Sequence, residues 1–214
     1  MLSCQLLLVS TVVVLPHVAT ANPKPGLRFQ VESIGKLAGL NSTDIQALYQ
    51  DQDGYIWIGN KPGVSRFDGY TFRNYTTAKD QVLGPIHSII EDRAGTVWIG
   101  GVNGLFYWQD GQFHASAIPK SHIKDLRLGK KGELWVAGLG FVPFALAVSD
   151  LLQLKRGETV EVKPFTTSSA WEAAIGNFRV WALDIDNHGA VWFGLDNRHA
   201  SYDGADLKIH WKDS

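Results

Sequence analysis

Four times along the chain a glycine precedes a tryptophan by three residues: Gly54–Trp57, Gly95–Trp98, Gly132–Trp135 and Gly189–Trp192. Nine residues before each glycine stands Ile45, Ile86, Ile123 or Val180, and six before it Leu48, Ile89, Leu126 or Leu183. Three before it stands Asp51, Asp92, Gly129 or Asp186, and an Asp-Gly pair follows at Asp68-Gly69, Asp110-Gly111 and Asp203-Gly204. From Asp44 to Trp211 the units average about 42 residues. This many registered positions mark an internal repeat, and a chain of repeats must bury one unit's hydrophobic face against the next.

Each unit reads as four short antiparallel strands. The Ile/Leu run before the glycine is a first strand; the turn that ends it uses Asp to bind backbone N–H groups and Gly to take a positive φ. Tyr-Ile-Trp-Ile-Gly and Thr-Val-Trp-Ile-Gly, aromatic and β-branched, form a buried second strand. A third spans Val64–Phe67 and Leu105–Trp108. The Asp-Gly hairpin leads to a fourth at Thr71–Tyr75 and Gln112–Ala115. Four such strands at this period make a β-propeller blade; a solenoid of helix pairs is excluded because no repeat shows a 3.6-residue period. Gly54, Trp57, Gly95, Trp98, Gly132, Trp135, Gly189 and Trp192 are the structural core of the repeat, each tryptophan filling the wedge between blades.

Composition limits the rest. Of the 214 residues, 45% are hydrophobic, which excludes a disordered chain. The 20 Lys+Arg against 21 Asp+Glu leave no basic excess for nucleic acid. The single Cys and single Met lie at the N-terminus, ahead of an apolar run, Leu6–Leu15, too short to span a bilayer. Pro16 and the small residues of Val18–Ala21 follow, so residues 1–21 read as a secretory signal peptide, although Met1–Gln5 carries no Lys or Arg. The remainder has no Cys, hence no disulfide and no thiolate metal site, and no later stretch is apolar enough to cross a membrane. The expected location is periplasmic or secreted.

The string Asp-x-x-Gly-x-x-Trp-Ile-Gly, followed by Asn-Gly-Leu and an Asp-Gly with an aromatic, resembles the two-component regulator propeller repeat, most closely over 87–113 and 44–75. Leu37-Ala38-Gly39-Leu40-Asn41-Ser42 is similar to the start of that family's sensor domains. The resemblance extends over roughly 28–211; in the third unit Gly129 replaces Asp, and Trp135-Val136-Ala137-Gly138 shifts the glycine. It implies a periplasmic sensor region, commonly of propellers of about seven blades, feeding a histidine kinase, a hybrid kinase or a diguanylate cyclase. No phospho-acceptor box, ATP-binding glycine box or GGDEF string occurs in this sequence.

The expected organisation is a leader (1–21), a lead-in with a closing strand (22–43, the strand at Leu27–Ser33), and four blades over 44–214, at about 44–84, 85–121, 122–178 and 179–214. The fourth unit already has an outer strand, Leu207–Trp211, so a closing strand would be surplus in a four-bladed ring; an incomplete, about seven-bladed ring is expected. The turns that repeat lie on one face. The segments that vary, 76–84, 115–121 and 165–178, lie on the other with the second-to-third-strand turns, where recognition belongs. Asn60, Lys61, His87, Asn103, Asn197 and Arg198 there, with Trp171 and Glu172 in the longest inter-blade segment as an exposed aromatic and its neighbour, suit a small polar ligand, a glycan among the candidates. The histidines are scattered without paired-ligand spacing and no nucleophile elbow exists, so no catalytic residue, metal or cofactor is expected. The leading expectation is an exported ligand-sensing propeller, with homodimerisation through the sensor region. The alternatives are an exported propeller enzyme, a lyase or glycan hydrolase, and a free-standing interaction scaffold.

Overall fold

A computed structural model describes residues 7–8, 32–33, 39–118, 121–166, 168–175 and 179–211. The leader and the closing strand of the lead-in fall almost wholly outside the described residues. What is described of them is one parallel pairing of β1 (Leu7–Leu8) with β2 (Glu32–Ser33).

Four antiparallel meanders follow. The first sheet is β3 (Ile45–Gln50), β4 (Ile56–Asn60), β5 (Val64–Phe67) and β6 (Phe72–Tyr75). A small hairpin, β7 (Thr77–Ala78) and β8 (Gln81–Val82), leads to the second: β9 (Ile86–Glu91), β10 (Val97–Gly101), β11 (Gly104–Gln109) and β12 (Gln112–Ala115). The third is β13 (His122–Leu128), β14 (Leu134–Leu139) and β15 (Phe144–Leu146). The fourth is β16 (Ala182–Ile185), β17 (Val191–Gly194), β18 (Arg198–Tyr202) and β19 (Leu207–Trp211). The first strands stand side by side, β3 against β9, β9 against β13 and β13 against β16, as blades around an axis do.

The repeat's hydrophobic positions explain this stacking. Trp57 is buried among Ile86, Ile99, Phe106 and Phe113 of the second sheet. Trp98 is buried among Ile123, Leu126, Val136 and Phe144 of the third, and Trp135 among Leu183, Val191 and Phe193 of the fourth. Each tryptophan thus seats its own sheet on the next. The tryptophan is fixed by the repeat's aspartate: Asp51 accepts the Trp57 Nε1–H at 2.6 Å and the Tyr55 amide at 2.8 Å. Asp92 does the same for Trp98 and Thr96, and Asp186 for Trp192 and Ala190.

The third blade departs from four strands. Among the described residues it has three, and the place in sequence of a fourth is taken by helix α1 (Val148–Lys155), with α2 (Ser168–Ile175) after it. The physical reason is legible afterwards: the third unit alone lacks the Asp-Gly hairpin, and Leu151 and Leu154 recur at helical spacing, both buried against Trp98, Leu134 and Leu146. The aspartate clasp is rebuilt as well. Glu133 accepts the Lys131 amide at 2.9 Å and the Trp135 Nε1–H at 3.4 Å. A Cβ at Gly129 would stand 2.1 Å from Glu133 Oε1, so a larger residue there would displace the Glu133 side chain from the clasp.

The ring of described blades is open. β3 and β16 do not pack as neighbouring first strands do. Leu48 of the first sheet is 61% exposed, whereas its register equivalents Ile89, Leu126 and Leu183, 7%, 0% and 2% exposed, are buried. Leu40 covers part of that end face, on Ile58, Phe67 and Phe72. At the other end Trp192 is only partly buried, stacked on His210 at 5.0 Å.

Candidate functional site

The first strands of the blades share one register position whose side chain is aimed out of the ladder. In β3, β9 and β13 the pairing to the second strand skips a single residue. Ile45 and Ala47 face Asn60 and Gly59, Ile86 and Ser88 face Gly101 and Gly100, and Ile123 and Asp125 face Gly138 and Ala137. The skipped residues are Gln46, His87 and Lys124. Such β-bulges re-aim a side chain out of the ladder. In the fourth blade Trp181 occupies the same register, its N–H donating to Gly194 O at 2.9 Å just ahead of β16. The bulge opposes the repeat's glycines. A Cβ on Gly59 would stand 2.9 Å from Ala47 Cβ, and one on Gly100 would stand 2.5 Å from Ile123 Cγ2 of the next sheet.

Gln46, His87, Lys124 and Trp181 are each eight residues before the repeat glycine, on adjoining inner strands. Three of them meet, together with His122 at the start of β13. His87 Nε2 and His122 Nε2 are 3.1 Å apart with their rings stacked at 5.2 Å. Lys124 Nζ is 3.3 Å from His87 Nε2 and 5.2 Å from the centre of the Trp181 ring. An ammonium only donates, so His87 Nε2 accepts from Lys124. Burial, then Lys124 and His122, push the His87 pKa down to about 4. Burial and Lys124 lower His122, and burial lowers Lys124. At neutral pH the cluster is therefore two neutral imidazoles beside one ammonium. Trp181 is 45% exposed, its Nε1–H held by Asp196 Oδ1 at 2.6 Å.

Below the rim, Asp125 ties three blades together. Its carboxylate accepts the Ser88 hydroxyl at 3.1 Å and the Leu183 amide at 2.8 Å.

The sequence-expected residues distribute around this rim unequally. His87 is in it. Asn60 is fully buried and structural: its Nδ2–H groups reach Asn41 and Ser65, and its Oδ1 accepts the Gly63 amide. Asn103 braces the β7–β8 hairpin, donating to Val82 O at 3.1 Å and accepting from Gln81 through its backbone oxygen. Lys61 and Asn197 are exposed, Asn197 in an open groove with Leu195, Asp196 and His199; Arg198 donates to Ile175 O. Trp171 is not an exposed loop aromatic. It lies in α2, fully buried between Phe165 and Phe193, because the inserted helix closes over the third and fourth sheets. Glu172 beside it is exposed on the helix. His122, Lys124, Trp181 and Gln46 escaped notice, although the variable position between two constant hydrophobic ones was a visible signal. Among the described residues no group of three or more His, Cys, Asp or Glu could hold a metal ion. The cavity of about 30 Å³ between the β9–β10 turn and α1 has room for about one water.

The family model described as two component regulator propeller matches residues 39–61 and 82–103, the entry into the first blade and into the second. Histidine kinase P4 of Formosa agariphila is 28% identical over 67 residues, 31% of this chain and 5% of that protein. Two solved structures share the fold. The extracellular domain of a hybrid two-component system from B. thetaiotaomicron has a TM-score of 0.66 at 16% identity, over 84% of this chain and 26% of that one. Virginiamycin B lyase from Staphylococcus aureus, in a catalytically inactive histidine-to-alanine form with quinupristin, has a TM-score of 0.62 at 15% identity, over 82% and 58%. The chain thus spans a small part of the kinase and about a quarter of the sensor domain. Blades stacked through the Asp-x-x-Gly-x-x-Trp clasp give the chain a propeller fold, and its first two blades match the two component regulator propeller model in sequence.

Proposed function

We propose that this chain is the exported, ligand-sensing propeller of a two-component type receptor, binding a small polar ligand at the inner rim. The observation that carries the reading is the bulge register. Scaffold positions repeat from blade to blade, while Gln46, His87, Lys124 and Trp181 differ in each and converge on one end of the first strands. A packing requirement would select similar residues at equivalent positions; recognition selects unlike ones on a rigid frame. Asp125, the neighbour of Lys124, gives occupancy of the rim a route into blade packing through Ser88 and Leu183. The test is a thermal-shift and calorimetric screen of polar metabolites and oligosaccharides, repeated with H87A and with Trp181→Ala. A ligand that binds the parent and neither variant supports the reading; a ligand indifferent to both moves recognition away from the rim.

A second reading, propeller lyase chemistry, draws on the His87–His122 pair, a neutral imidazole being a competent general base. Turnover of a ligand by the chain, abolished in H87A, would favour it over sensing.

A further inference from the structure

Resting on the reading of the rim as a ligand site, we propose that its ligand carries an anionic group, held by the Lys124 ammonium, on a ring that lies against the exposed face of Trp181. Lys124 is half-buried and, among the described residues, has no carboxylate within 4.0 Å. The acidic groups nearest in sequence are committed elsewhere: Asp125 to Ser88, Leu126, Arg127 and Leu183, and Asp184 to the Ile185 amide. A partly desolvated ammonium without a counter-charge is costly to hold, and an arriving anion relieves that cost. Among the described residues its only side-chain hydrogen bond is to His87, so two of its three N–H groups remain to donate.

The cluster favours an anion over a cation. Both imidazoles are uncharged at neutral pH, and the ammonium beside them repels a metal ion from the Nε2 atoms. Trp181 adds the second element. Its ring already faces Lys124, and it is 45% exposed at the same register, so a flat or ring-shaped body bearing the anion contacts both at once. Carboxylate, phosphate and sulfate share this chemistry.

The experiment titrates the 214-residue chain, isotope-labelled, at pH 7.5 and low ionic strength with benzoate, phenyl phosphate and benzamide. The His87 and His122 imidazole signals and the Trp181 indole N–H are followed by nuclear magnetic resonance. Benzoate or phenyl phosphate is expected to shift all three saturably, the tighter of the two naming the kind of anion, and benzamide to shift none. K124M weakens the anion by roughly tenfold or more while K124R retains it. Benzamide binding as well as benzoate, or K124M leaving affinity unchanged, overturns the anion and leaves the sensing rim standing. Silence from all three probes overturns the anion; silence also from a panel of neutral sugars overturns the sensing rim with it.

Discussion

The Asp125 carboxylate accepts the Leu183 amide at 2.8 Å across the boundary between the third and fourth blades. The same side chain takes the Ser88 hydroxyl of the second blade and is itself nearly buried. Removing it leaves the Leu183 N–H and the Ser88 O–H without their partner, so D125A is expected to cost about 2–3 kcal/mol. D125N keeps one acceptor oxygen and should cost about half as much. Urea unfolding measures both; a D125A midpoint equal to the parent's would refute the inter-blade tie.

The third blade's clasp makes a sharper prediction because it was rebuilt with different residues. Gly129 leaves the space that the Glu133 carboxylate fills, and Glu133 does for Trp135 what Asp92 does for Trp98. G129D alone drives a carboxylate into an occupied site, and E133T alone strips Trp135 of its acceptor; each is expected to destabilise by about 1–3 kcal/mol. Together they recreate the arrangement of the second blade, so the double variant should be more stable than the sum of the singles by about 1–3 kcal/mol. Additive losses in a double-mutant cycle would show that the clasp does not act as a unit.

These cases mark what the sequence reveals. Trp57, Trp98 and Trp135 each stand three residues after the repeat glycine, and repetition is a long-range signal, so blade stacking follows from it. Trp171 has no register to place it, and its burial depends on a helix that only the tertiary frame sets against Phe193. Asn60 reads as polar and loop-adjacent, yet a turn amide and two side chains satisfy it in the interior. The rim was half legible: His87 stands out as a histidine. Lys124 becomes informative only when the bulge brings it to 3.3 Å from that ring, since spacing along the chain says nothing about distance across it.

His87 should make the fold acid-sensitive. Its folded pKa of about 4 lies below the ordinary histidine value of 6.5, held down by burial and by Lys124 and His122, so between those values the unfolded chain binds a proton that the folded one refuses. Stability therefore falls as pH drops from about 6.5 to about 4 and levels below that. With the partial exposure of the ring, the loss is on the order of 1 kcal/mol. His122, lowered for the same reasons, adds with the same sign. Asp68, Asp186 and Asp203 also have lowered values, but their contributions are lost only as pH falls through and below the usual value of 3.8. Urea midpoints at pH 7 and 4.5 should differ less in H87Q than in the parent; equal differences would place the acid sensitivity elsewhere.

The two ends of the arc should find each other. Leu48 is exposed where Ile89, Leu126 and Leu183 are each buried on a preceding blade, and Trp192 is partly open where Trp57, Trp98 and Trp135 are each buried on a following one. The first face therefore has the chemistry of a blade's receiving side and the second that of its donating side. Two unlike faces on one chain produce head-to-tail contacts, which close into a ring or grow without closing. The isolated chain is expected to self-associate in a concentration-dependent way, and sedimentation velocity should show dimers or larger species at micromolar concentrations. L48K puts a charge on the receiving face without touching the buried core, and should return the chain to a monomer with its melting transition intact. A parent that sediments as a monomer at every concentration would mean that Leu40 and the segment around it already cover the receiving face.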